Sequence, residues 1–143
     1  YPFFKKNISS SGASLLRCAK VDDYVICPDG FNFKDAKKAC GTLGGKMTTF
    51  DKLETYQRVM EWLPSLLKRR VWLAITDSKS EGTWLWPNGE VLDFEFWMSN
   101  EPNDWGKGED CAEIHLWKKR PGWNDLSCDS KLAFICDLKD DSK

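Results

Sequence analysis

The stretch EPNDWGKGEDC, residues 101–111, gathers four carboxylates (Glu101, Asp104, Glu109 and Asp110), the amide of Asn103 and the turn formers Pro102, Gly106 and Gly108. Asn124 and Asp125 add oxygen further along. Such a set, rich in hard oxygen donors and without a nearby nitrogen or sulfur ligand, suits calcium, which takes about six to eight oxygens at roughly 2.3–2.6 Å in flexible geometry. Carboxylates crowded this closely repel unless a cation compensates them. The plainer reading is a solvated acidic loop. An EF-hand is excluded, because the D-x-[DN]-x-[DN]-G spacing and its closing glutamate are missing.

Outward from this loop, the region from Ser99 to Gly122 is rich in Pro, Gly, Asn and Asp, and only CAEIHLW (111–117) reads as a strand within it. A long irregular segment in a compact domain usually carries function. VWLAIT (71–76), GTWLW (82–86) and KLAFIC (131–136) read as short buried strands, and YVIC (24–27) as another, followed by a Pro28-Asp29-Gly30 turn. The period then changes. Asn32 is a plausible N-cap for a helix whose Phe33, Ala36, Ala39, Cys40 and Leu43 share one face, and Gly44-Gly45 stops it. Asp51 with Glu54 predicts a capping box for a second helix to about Trp62, ended by Pro64. Helices early and strands late give the α+β class. Residues 1–17 read as a leader or tether, 18–137 as the folded domain and 138–143 as a polar tail.

The chain has 143 residues, 41% apolar and 13% aromatic, which is enough for one domain with a real core. Its formal net charge of -1 gives no field toward nucleic acid or an anionic membrane, and no apolar run is long enough to insert in a bilayer. A start at Tyr1 is read as a processed chain. Six cysteines without a CxxC pair, beside the single His115, favour disulfides over zinc. Disulfides imply an oxidising compartment, and Asn7-Ile8-Ser9 is a glycosylation sequon that has meaning only in secreted chains. The residues themselves leave the cysteine pairing open.

Catalysis is disfavoured. Paired carboxylates can hydrolyse glycosides, but here the acids interleave with Asn and Pro, and no Ser-His-Asp or Cys-His set is evident. Trp72, Leu73, Ile75, Trp84 and Trp86 read as core, and His115, in a strand-like run, as structural.

Taken together, VWLAITD (71–77), EPN (101–103), GEDC (108–111), WND (123–125) and CDSKLAFIC (128–136) resemble the C-type lectin-like domain over roughly residues 27–137. The resemblance implies a lectin fold with two helices flanking antiparallel sheets, a long calcium-binding loop and disulfide staples. It places a principal calcium and sugar site on Glu101, Asn103, Glu109, Asn124 and Asp125, the last also through its main-chain carbonyl. Vicinal hydroxyls of a glycan would complete the coordination. An auxiliary calcium falls on Asp77, Glu81, Asp104, Glu109 (through its carbonyl) and Asp110.

In lectins of this type the bond before the proline is cis, so Glu101–Pro102 is expected to be cis. The order Glu-Pro-Asn resembles the version that accepts equatorial 3- and 4-hydroxyls, as in mannose, GlcNAc, glucose or fucose, over galactose. Trp105 would stack on a sugar face or pack beneath the loop. Lys118, Lys119 and Arg120 form a basic turn that would be solvated or touch an acidic glycan.

By the same resemblance, Cys40 pairs with Cys136, Cys111 with Cys128 and Cys18 with Cys27, although the residues around Cys18 match the family poorly and leave an intermolecular bond open. The rival reading is a domain of this fold that recognises a protein, with calcium only structural; binding to ice or mineral is a third. Single lectin sites are weak, so avidity would come from several, and Phe3, Phe4, Leu15 and Leu16 offer apolar surface for a homo-oligomer.

Overall fold

The computed structural model describes residues 3–7, 15–102, 108–117 and 121–138. Its elements run β1 (Phe3–Asn7), β2 (Leu15–Val21), β3 (Tyr24–Phe31), α1 (Phe33–Thr42), β4 (Lys46–Met47), α2 (Leu53–Leu66), β5 (Arg70–Thr76), β6 (Cys111–His115), β7 (Gly122–Leu126) and β8 (Leu132–Asp137). The strands lie in the order β1-β2-β3-β8-β5-β6-β7, with β4 also pairing β8. All pairs are antiparallel except β5 with β8, which run parallel where Val71 faces Ala133. That one parallel pair makes the sheet mixed where antiparallel sheets were expected.

Local chemistry builds α1 as its sequence predicts. Asn32 is extended (φ -71°, ψ 168°), and its Oδ1 accepts the Asp35 N–H at 2.8 Å, satisfying one of the donors that a helix start leaves unpaired. Phe33, Ala36, Ala39 and Cys40 bury one face. At the exit, a Cβ on Gly45 would stand 2.3 Å from the Asp137 carbonyl oxygen, so only glycine lets the chain pass this close to β8.

The second helix differs from expectation at both ends. Its N-cap is Lys52, with no side-chain cap bond, so Asp51 does not close a capping box; the chain enters the helix one residue later than that reading required. Pro64 lies inside the helix, which continues to Leu66. A proline in the last turn forfeits one backbone bond, and the buried Leu63 and Leu67 on either side hold the turn against the core, with the Leu67 N–H donating to the Leu63 carbonyl at 2.9 Å.

Further expectations change. The stretch read as a leader contains β1, which pairs with β2 in the register Phe3–Ala19 to Asn7–Leu15. GTWLW is no strand: Leu85 makes single bridges to Thr76 and Val91, while Trp84 and Trp86 sink into the core. The turn expected at Pro28–Gly30 is a register shift inside β3, which resumes pairing with β8 at Phe31. Of the expected tail, Leu138 is held by its N–H donating to the Asp23 carbonyl at 2.7 Å.

The core is continuous and aromatic. Trp123 is fully buried, with the rings of Tyr56, Phe94, Phe96 and Trp97 about it at 5.6–6.1 Å between centroids. Its indole N–H donates to the Tyr56 hydroxyl at 2.9 Å. Burial pushes the Tyr56 hydroxyl up to about 12, so it stays a neutral partner throughout the useful pH range. Three disulfides staple the fold: Cys18–Cys27 across β2 and β3, Cys40–Cys136 between α1 and β8, and Cys111–Cys128 from β6 to the segment before β8. Replacing Trp123 with Ala removes this hub, and we expect a loss of about 3–5 kcal/mol in urea unfolding with an unchanged m-value; a loss under 1 kcal/mol would contradict its central role.

Candidate functional site

The two arms of the acidic loop leave the core at Trp123. Its N–H donates to the Phe96 carbonyl at 2.8 Å and its carbonyl accepts the Met98 N–H at 2.9 Å, tying the incoming loop arm to β7. The chain then turns: Glu101 N–H donates to the Met98 carbonyl at 3.0 Å, and Asn100 takes a left-handed conformation (φ 67°) that asparagine tolerates. The Glu101–Pro102 peptide follows and is cis. Trp123 itself leads directly into Asn124 and Asp125 on β7.

Around this point the carboxylates of Asp125, Glu109 and Glu113 lie near enough to Glu101 to act on it. Asp125 is buried and Glu101 half-buried, and Glu101 Oε1 is a buried oxygen with no hydrogen-bond partner among the described residues. Burial, and then Asp125, Glu109 and Glu113, raise the Glu101 carboxyl from 4.5 to about 7. Asn103, Asp104 and Trp105 lie outside the described residues, as do Lys118, Lys119 and Arg120.

A second acidic group lies at the end of β5. Oxygens of Asp77, Glu81 and Asp110 lie within 4.8 Å of one another. Backbone bonds hold the frame: the Asp77 N–H donates to the Asp110 carbonyl at 3.2 Å, and Thr76 and Leu85 exchange bonds at 3.1 and 2.9 Å. Asp77 Oδ2 accepts the Gly82 N–H at 2.9 Å, where φ of +84° favours glycine. Asp77 Oδ1 is buried without a partner among the described residues. Burial pushes the Asp77 carboxyl up, against the lowering effect of the Gly82 bond. Two buried carboxylate oxygens, Asp77 Oδ1 and Glu101 Oε1, without hydrogen-bond partners among the described residues fit a hard cation better than a merely solvated acidic loop.

One set of residues near the site escapes the sequence reading. Glu113, 1% exposed, receives both Nε and Nη2 of Arg70, the latter at 3.2 Å, and accepts the Asn124 Nδ2–H at 2.9 Å on Oε2. His115 Nε2 stands 3.2 Å from the same oxygen. This fixes the amide of Asn124: with Nδ2 turned to Glu113, Oδ1 lies on the opposite branch, and one N–H remains for another acceptor. Period-two alternation in CAEIH would have placed Glu113 beside His115, but nothing in the sequence names Arg70 as its partner.

The strand order, the two helices and the disulfide staples define a C-type lectin-like domain. The chain belongs to the lectin C-type domain family, whose model matches residues 30–138. It is 31% identical over 122 residues to a perlucin-like protein of Mytilus galloprovincialis, covering 82% of this chain and 76% of that one. To lectin BRA-3 of Megabalanus rosa it is 30% identical over 108 residues, covering 74% of this chain and 64% of that one. Among solved structures, the cow CD23 carbohydrate-recognition domain, determined in the presence of a GlcNAc2Man3 oligosaccharide, matches with a TM-score of 0.66 at 25% identity, over 84% of this chain and 91% of that one. The family is one of binding domains rather than enzymes and generally takes calcium. Among the described residues no helix is long and apolar enough to cross a membrane.

The raised carboxyls set a pH dependence for the metal-free protein. A carboxylic acid whose folded pKa lies above its unfolded value holds its proton better when folded, so stability falls as pH rises through that window. With Glu101 moving from 4.5 to about 7, we expect the melting temperature in EDTA to fall between pH 4.5 and 7, and Glu101→Gln to flatten the slope. A melting temperature that rises across this window, with no change of slope in the variant, would contradict the geometry.

Proposed function

We propose that this domain binds glycans bearing vicinal equatorial 3- and 4-hydroxyls, of the mannose, GlcNAc or fucose type, in a calcium-dependent manner. The observation that carries the reading is the meeting of Glu101, Glu109, Asn124 and Asp125 beside a cis-proline turn, with Glu101 driven up to about 7 by burial and its acidic neighbours. Asn103 would complete the set. A bound calcium supplies coordination positions for two sugar hydroxyls and offsets the repulsion among the acids. The residues of this chain do the rest: the carboxylates accept the hydroxyl protons, and the second Asn124 N–H donates to a hydroxyl oxygen while Glu113 and Arg70 hold the amide in place. Asp77, Glu81 and Asp110, with Asp104 and the Glu109 carbonyl, would hold an auxiliary ion that stiffens the loop.

That second group alone also supports the rival reading, in which calcium is structural and the partner is a protein. Chromatography on immobilised mannose and galactose separates the two. Retention on mannose in calcium, release by EDTA and passage through galactose are expected; passage through both columns in ample calcium refutes sugar binding. Because calcium ligands must be deprotonated and Glu101 holds its proton to about 7, sugar affinity at fixed calcium should decline from pH 7.5 to 5. A constant affinity down to about pH 4.5 would count against coordination by these acids. The three disulfides support secretion to an extracellular compartment, and Asn7, at the end of β1, is the proposed glycosylation site.

A further inference from the structure

Among the described residues, one tryptophan is left out of the core. Trp117 is 48% exposed, whereas Trp72, Trp84, Trp86 and Trp123 are buried. A single exposed ring needs no partner by itself, but a tryptophan that packs on a second ring beside a binding site offers a flat apolar face to a ligand. Trp117 is braced: its ring lies 4.6 Å from that of His115, with 31° between the planes. His115 lies beside Glu113, its Nε2 3.2 Å from Oε2 of the carboxylate that also holds the Asn124 amide, without a hydrogen bond between the two.

The arrangement has a direction. Glu113 lies opposite Asn124 and His115 opposite Gly122 across the β6–β7 pair, so residues 113 and 115 share one face, and a row runs from Asn124 through Glu113 and His115 to Trp117. Four residues of chain separate Glu113 from Trp117, at most about 14 Å. This upper bound keeps Trp117 within the reach of an oligosaccharide whose end is held at Asn124. Trp105, which would stack on a sugar or pack beneath the loop, lies outside the described residues; Trp117 stands in the turn that follows β6.

Resting on the sugar-binding reading of the loop, we propose that Trp117, backed by His115, is an outer subsite that stacks against the second or third sugar of a glycan whose terminal residue is held at Asn124. The ring presents a flat apolar face to the C–H face of a pyranose, and the His115 contact removes much of the rotational freedom that stacking would otherwise cost. The ligand class is therefore an oligosaccharide with a mannose-type end, in preference to the monosaccharide.

Linear mannotriose and methyl mannoside each present one terminal mannose, so their affinities compare without multivalency. By calorimetry in calcium, we expect the intact protein to bind mannotriose about three- to tenfold more tightly than methyl mannoside. Trp117→Ala should remove that advantage while leaving methyl mannoside and calcium affinities within twofold, and Trp117→Tyr should keep part of it. Indole emission of the intact protein should shift with mannotriose more than with methyl mannoside, and the excess should vanish in Trp117→Ala. The subsite is overturned if the intact protein shows no preference for mannotriose, if Trp117→Ala retains the preference, or if that variant loses both ligands equally. Failure of the intact protein to bind either sugar in calcium instead refutes the sugar reading, and the subsite with it.

Discussion

Trp123 is the constraint on which the remaining structure depends. Its side chain fills the centre of the aromatic core and reaches the Tyr56 hydroxyl on α2, while its backbone N–H and carbonyl clasp residues 96 and 98 of the incoming loop arm. The next two residues, Asn124 and Asp125, belong to the candidate site. One residue thus connects helix packing, loop position and ligand presentation. The site inherits the stiffness of the core because there is no flexible spacer between them.

The acids around Glu101 and Asp77 oppose the fold that carries them. Buried carboxylates near one another raise the free energy of the ionised, metal-free state, and the molecule tolerates this because its stability comes from elsewhere: the aromatic core, the continuous sheet and three disulfides. Arg70 acts locally in the same sense. By pairing with Glu113 it neutralises one acid of the cluster without occupying the face where Asn124 presents its oxygen.

What the sequence disclosed follows from how local each cause is. Helix α1 was legible because its cap, its apolar spacing and its stop lie within a few residues of each other. VWLAIT and KLAFIC were legible because a strand covered on both sides is apolar throughout. Helix α2 was placed with wrong ends, since Leu63 and Leu67 override the local effect of Pro64 through distant packing. Strand β7 went unseen because GWNDL breaks apolar alternation with the polar Asn124 and Asp125, and GTWLW misled because aromatic residues enter a core with or without a ladder. At the site, the acids stood out as residue types and through the family resemblance. The brace of Arg70, Glu113 and His115 did not, because it depends on the register of β5 against β6, which joins residues 43 apart in the chain.

Strand β7 ends the sheet, and an open sheet edge invites pairing with another molecule. Here the edge is covered by the protein's own loop root: Phe96 and Met98 bond to Trp123, and Trp97 runs parallel to it as a short bridge. The root is therefore a structural part of the sheet edge, and the left-handed Asn100 turns the chain from it toward the acidic loop. The same backbone bonds that anchor the loop root also shield the edge of β7 at Trp123 from pairing with another copy of the molecule.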